Sequence, residues 1–153
     1  MEIHSLARNP LADTFNWIKK AVPNPNEQNI SVQIGVHFEE VAEMLDQIGS
    51  QEGTTILLLE NAQLALERLA THLKRDRPKL DIKNRLEFLD SICDQLVTAT
   101  ASAYMQKMDP IGGLIEVNES NYSKFVDGEP VFDQNRKITK GPNYRKPDLN
   151  KFV

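Results

Sequence analysis

Residues 56 to 75 read ILLLENAQLALERLATHLKR. Within them Leu58, Ala62, Ala65, Leu66, Leu69 and Leu73 recur at the spacing of a helix, about 3.6 residues per turn, and form one broad apolar stripe. A stripe of that width is built to pack on neighbouring helices. It predicts a helix over about 54 to 75. Pro78 ends it, because proline lacks an amide proton and restricts the residue before it.

The same period recurs on both sides. Phe15, Ile18 and Val22 predict a short helix over about 11 to 22, stopped by PNPN at 23 to 26. A second helix is expected from Asn29 or Ser31, either of them a suitable N-cap, to Ile48. Gly35 weakens it, Gly49 closes it, and SQEG is a loop. Asp81 is placed to cap a fourth helix running from Ile82 to about Gln106, with Leu86, Leu89, Cys93, Leu96 and Val97 as its stripe. The small residues of TATASA let another helix approach that one closely. DPIGG punctuates the chain, and a shorter helix is expected over 114 to 122. Beyond Phe125 the segment is irregular, with PVFD and KIT expected to pair as a small hairpin and the aromatics expected to hold the arm to the body. The expected fold is all-α: a bundle of four to five helices over about 11 to 124, an irregular C-terminal arm over about 125 to 153, and one domain in all. Short connections predict antiparallel neighbours.

Charge and cysteine usage narrow the class. The net charge of -4 carries no general footprint for nucleic acid. Cys93 is the single cysteine, so there is no internal disulfide framework, and its place on the fourth stripe reads as core. No apolar run approaches the ~20 residues of a membrane span, so no membrane partner is expected. MEIHSLARNP lacks the basic start and apolar stretch of a signal peptide, and the expected location is the cytoplasm.

The chemistry is concentrated in acidic residues. In EEVAE, residues 39 to 43, Glu40 and Glu43 share a helix face and Glu39 lies beside them. Apolar residues flank them on both sides. On the fourth helix Glu87, Asp90 and Asp94 fall at i, i+3 and i+7, again on one face. If the second and fourth helices are neighbours, these carboxylates converge and require cations; oxygen ligands suit Mg²⁺ or Mn²⁺. An ordinary solvated helix face has the same spacing, and the apolar flanks and the pairing of two such faces favour the metal reading. A basic cluster follows. Asn121 and Lys124 lie together at a helix end, and Lys140, Arg145 and Lys146 surround the turn residues Gly141 and Pro142. Taken alone they read as an ordinary basic loop; beside a carboxylate–metal site they read as the other half of a triphosphate pocket.

EExxE followed by LDxxxD, SNxSK and KGPNYxxPDL resembles the MazG-like superfamily of all-α nucleoside triphosphate pyrophosphohydrolases, which includes dimeric dUTPases and phosphoribosyl-ATP pyrophosphohydrolase. The arm is most similar to the subgroup acting on purine deoxynucleotides, including the phage MazZ type. The likeness covers about residues 33 to 150. The usual second motif is ExxD. Glu87 to Asp90 fits it literally, whereas LDSICDQLVTA aligns Asp94 with the aspartate and leaves Asp90 to substitute for the glutamate. Glu119 stands where related sequences often carry a basic residue.

The resemblance implies hydrolysis of a purine (deoxy)nucleoside triphosphate, dGTP first and dATP next, to the monophosphate and pyrophosphate by metal-activated water. It implies two or more Mg²⁺ or Mn²⁺ ions, held by Glu40, Glu43 and Asp94 with Asp90. Glu39 would hold a second ion or orient the water, and Glu39 and Glu40 would act in catalysis. Asn121, Lys124, Lys140 and Tyr144 would bind the substrate. A homo-oligomer, dimer or tetramer, is implied too, and a host cytoplasm if the chain is phage-encoded. Two other readings stand beside it: the same chemistry on a pyrimidine, dUTP or dCTP, and a non-catalytic helical module whose acidic face docks a basic partner. Phe38, Trp17 and Tyr122 can each stack on a base, with core packing the better reading of Phe38 and Trp17. His4 and His37 read as packing residues rather than ligands.

Overall fold

The computed structural model describes residues 9–132 and 138–153. His4 and the tip of the expected hairpin, with Asp133 and Lys137, lie outside them. Five α-helices follow in order among the described residues: α1 (Pro10–Ala21), α2 (Glu27–Asp46), α3 (Gly53–Asp76), α4 (Arg85–Met105) and α5 (Pro110–Tyr122), with a 3₁₀ turn at Asn150–Phe152. The all-α expectation holds. No helix among the described residues is long and apolar enough to cross a membrane. The chain divides into two compact units, Asn24–Lys83 and the remainder.

In Asn24–Lys83, α2 and α3 form an antiparallel hairpin. Ser31 donates to the Leu73 carbonyl at 3.1 Å near one end, and Gln63 donates to Asp46 at 3.4 Å near the other. Ser31, Gly35 and Ala42 of α2 are buried, as are Ala70 and Leu73 of α3. Small residues bring the two backbones together here. A Cβ on Gly35 would lie 3.0 Å from the Ala70 carbonyl oxygen and 3.0 Å from the Leu73 Cβ. The glycine that weakens α2 as a helix is what lets α3 approach it.

The start of α2 differs from expectation. Asn26 is the N-cap, and it exchanges side-chain bonds with Asn29: each Oδ1 accepts from the other's backbone N–H at 3.0 Å. Asn29 is thus the third residue of a capping box, and Ser31 is a core residue. Glu52 caps α3 with its carboxylate on the amides of Thr54 and Thr55. The Thr55 hydroxyl and then the Thr54 bond hold the Glu52 carboxyl below its ordinary value.

In the other unit, α1 packs on α5. Their contact face is not the expected one. Thr14, Trp17 and Ala21 turn inward, and Phe15 is 66% exposed. The reason is polar. Asn118 on α5 is buried, accepts from the Thr14 hydroxyl at 2.8 Å and donates to the Pro10 carbonyl at 2.8 Å. Trp17 donates its indole N–H to the Asn121 carbonyl at 3.0 Å and stacks on Phe125, centroids 6.0 Å apart. Trp17 therefore packs, as read. The shorter helix begins earlier than expected, because Asp109 caps it through the amides of Ile111 and Gly112, with Pro110 at the first helical position. A Cβ on Gly112 would strike the Phe152 ring at 2.5 Å, so this glycine seats the C-terminal 3₁₀ turn.

α4 is capped by Asn84, which accepts from Leu86 and Glu87, rather than by Asp81. It buries no residue. Leu86 is 73% exposed and Leu89 61%; Cys93, read as core, is exposed. The period that predicted the helix is correct, but its stripe is uncovered in the chain as described. The hydroxyls of its small-residue end bond back onto their own helix: Thr98 to the Asp94 carbonyl, Thr100 to Leu96 and Ser102 to Thr98. The expected hairpin is represented by an antiparallel bridge between Phe132 and Ile138, with the Thr139 amide donating to the Val131 carbonyl at 2.8 Å.

Candidate functional site

Two clusters carry most of the residues singled out above, one in each unit, and Glu87, Asp90 and Asp94 of α4 belong to neither. The first is the acidic ridge of α2. Four residues of one face, Gly35, Glu39, Ala42 and Glu43, look towards α3. Glu39, Ala42 and Glu43 line a cleft of about 260 Å³ with Glu67, Ala70 and Thr71. Glu39 is half-buried and accepts from the Lys74 ammonium. Glu40 and Glu43 are exposed. A larger depression, about 320 Å³, is lined from Glu67 to Arg75 along α3 alone and includes no ridge residue.

The acidic faces of the second and fourth helices were expected to converge only if those helices are neighbours. Within its own unit α2 packs on α3, and this contact brings in two residues not named from the sequence: Glu67 on the cleft and Lys74 on Glu39. The signal was present. SQEG is too short for anything but an antiparallel return, and Gln63, Glu67 and Lys74 fall at i, i+4 and i+11 on the returning helix. Gln63 donates to Glu67 at 2.9 Å and extends that polar edge.

Glu87, Asp90 and Asp94 lie on α4, all exposed. Among the described residues, no three His, Cys, Asp or Glu side chains are grouped so as to hold a metal ion. The donor chemistry of the ridge, carboxylate oxygen without nitrogen or sulfur, is that of a hard-cation site. His37 is half-buried and stands beside the half-buried Phe38, ring centroids 6.0 Å apart.

The second cluster lies where α5 ends and the arm returns. Lys124 donates to the Asn121 side-chain oxygen at 2.7 Å, so the pair sits together as expected, with the Lys124 ammonium 5.7 Å from the centre of the Trp17 ring. Gly141 donates to the Lys124 carbonyl at 3.3 Å, and a Cβ on it would come within 2.8 Å of Val126. The arm thus lies directly on residues 124 to 126. Gly141 accepts from the Tyr144 amide at 3.0 Å, and Lys140 lies over the Tyr144 ring at 4.7 Å. Backbone bonds therefore bring the segment bearing Lys140 and Tyr144 to the one bearing Asn121 and Lys124.

Arg145 is occupied differently. Its guanidinium meets Glu116 at 2.5 Å and Glu119 at 2.8 Å. Glu116 is only 6% exposed, also accepts from the Asp148 amide at 3.0 Å, and lies 3.9 Å from the Lys151 ammonium. The Arg145 bond first, then the Asp148 amide, hold the Glu116 carboxyl below its ordinary value. Glu119 is a second partner of Arg145.

No family model matches the chain. No curated protein matches it, and no solved structure matches it.

Proposed function

We propose that this protein is a metal-dependent pyrophosphohydrolase of a purine (deoxy)nucleoside triphosphate, with dGTP its first substrate and dATP its next. The observation that carries the reading is the carboxylate ridge of α2, with Glu39 half-buried and Glu40 and Glu43 exposed; in the other unit, the cluster of Asn121, Lys124, Lys140 and Tyr144 is of a chemistry suited to a phosphate chain. The order of motifs along the sequence supports the class, and the arm supports the purine.

By the likeness of the motifs, Glu40 and Glu43 of α2 and Asp94 and Asp90 of α4 are the residues that would hold Mg²⁺ or Mn²⁺, and Glu39 would serve a second ion or the attacking water. A divalent ion supplies charge neutralisation and a more acidic water. Water attacks the α-phosphorus, a ridge carboxylate takes its proton, and the bond to the oxygen bridging the α- and β-phosphates breaks. The products are the monophosphate and pyrophosphate. Lys124 and Lys140 balance charge on the phosphates, and Asn121 orients them.

The working species is a homo-oligomer in which the apolar stripe of α4 is buried between copies. Exposed apolar side chains such as Leu89 and Val97 support this. Sedimentation should show a dimer or tetramer, and Leu89→Glu should lower the mass; a monomeric parent would refute it. The reaction is tested by pyrophosphate release from a panel of purine and pyrimidine triphosphates with Mg²⁺, Mn²⁺ or EDTA. Metal-dependent release with monophosphate as co-product is expected. Preference for dUTP or dCTP would move the substrate, and no release from any nucleotide would end the enzymatic reading in favour of a docking module.

A further inference from the structure

We infer that Glu116 is a positioning residue for substrate binding: it holds the C-terminal arm by Arg145 and the Asp148 amide, so that Lys140 and Tyr144 are presented at the Asn121–Lys124 end of α5. The inference rests on the reading of those four residues as the phosphate-binding set.

The geometry is that of a clamp. Glu116 is buried midway along α5, where a carboxylate is costly unless compensated. Both compensating contacts within 3 Å, the Arg145 guanidinium and the Asp148 amide, come from the arm. Arg145 is fixed at its backbone as well. Its amide donates to the Ser123 hydroxyl at 3.0 Å, and its carbonyl accepts from the Ser120 hydroxyl at 2.8 Å. Five residues upstream the arm carries Lys140, and one residue upstream Tyr144. Since Glu116 and Glu119 take up its guanidinium, Arg145 anchors the arm.

A carboxylate that acts by position can be told from one that acts by charge, because the two predict opposite signs. By charge alone, neutralising Glu116 makes the neighbourhood more positive and tightens the binding of an anion. If Glu116 acts by position, neutralising it loosens the arm and weakens binding.

The test is calorimetric titration of inorganic tripolyphosphate into the full-length protein and its Glu116→Gln variant, with circular dichroism to confirm the helices. Alongside it run pyrophosphate-release kinetics on the preferred nucleotide and limited tryptic cleavage at Lys140 and Arg145. Expected for Glu116→Gln are about tenfold weaker tripolyphosphate binding, a KM raised about tenfold with kcat little changed, and faster cleavage of the arm. Glu119→Gln, at an exposed position that does not threaten folding, should move all three in the same direction by about two- to threefold. Unchanged or tighter tripolyphosphate binding by Glu116→Gln overturns the inference, and the proposed reaction survives if the parent protein still turns over. A parent that binds tripolyphosphate but hydrolyses no nucleotide refutes the reaction and leaves the inference to the comparison of the two affinities. A parent that does neither refutes both.

Discussion

The molecule holds two groups of carboxylates and treats them oppositely. On α5, Glu116 is buried and met by a guanidinium, a backbone amide and a more distant ammonium, all from the arm. On α2, Glu40 and Glu43 face solvent, and Lys74 reaches Glu39 from α3. A buried carboxylate cannot exchange partners without leaving a buried charge uncompensated, so Glu116 is committed to structure. A carboxylate that water still reaches can trade its partner for a cation at small cost. The same side chain serves as a clamp in one place and as a candidate ligand in the other, and its surroundings make the difference.

The largest test of that contrast is Glu43→Gln. If the ridge is the reactive one, turnover should fall by about a thousandfold while circular dichroism and melting stay near the parent. A variant that keeps turnover and loses stability would put Glu43 in the structural class with Glu116. The opposite error is tested on α5 by Asn118→Leu. Asn118 serves both Thr14 and the Pro10 carbonyl in the buried contact of α1 with α5. Its removal should cost about 1–3 kcal/mol in denaturant melts, and the ridge chemistry should be unaffected once the protein is folded. A smaller effect is expected from Gly35→Ala beneath the ridge. Overpacking against Ala70 and Leu73 costs about 1–3 kcal/mol. The better helix propensity of alanine returns about 1 kcal/mol, leaving a net loss of about 1 kcal/mol by the same melts. A stabilised variant would show that α2 and α3 separate easily at that point.

How much of this was legible depended on whether the signal was local. Helix existence is a periodic property, legible in the apolar stripes of α1, α3 and α4, while α2 and α5 were read from the caps, glycines and prolines around them. Capping is nearly local, yet Asn26 was passed over because PNPN reads as a stop for the helix before it, whereas it is also the start of the next. Which face a helix buries is not local at all. On α1 the apolar Phe15 and Ile18 were the expected face, but Asn118 and Asn121 on α5 reward Thr14 and Trp17 with hydrogen bonds, and those win. On α4 the stripe was read as covered, and the structure exposes it. Of the candidate site residues, the pair Asn121 and Lys124 was legible because the two are three residues apart at one helix end. Glu67 and Lys74 were missed because their importance comes from the partner helix. Glu116 carried no sequence signal of burial, since nothing near it in the chain distinguishes a clamped glutamate from a solvated one.

Acid provides the last comparison. The Glu116 carboxyl is held below its ordinary value by Arg145 and by the Asp148 amide, so its charged form is favoured in the folded state. A depressed carboxyl contributes stability that is complete above the unfolded value, about 4.3 for glutamate, and that is lost as pH falls through the folded value. The groups facing it are Arg145, Lys151 and Glu119. Arm contacts should therefore persist at neutral pH and weaken progressively below about pH 4. Hydrogen-exchange protection of the Gly141, Arg145 and Asp148 amides reads this directly, compared with the α3 backbone as an internal reference. Glu116→Gln should remove the dependence and leave those amides weakly protected at every pH. If their protection falls in acid in the variant as it does in the parent, another carboxyl controls the arm, and Glu119 becomes the next residue to neutralise.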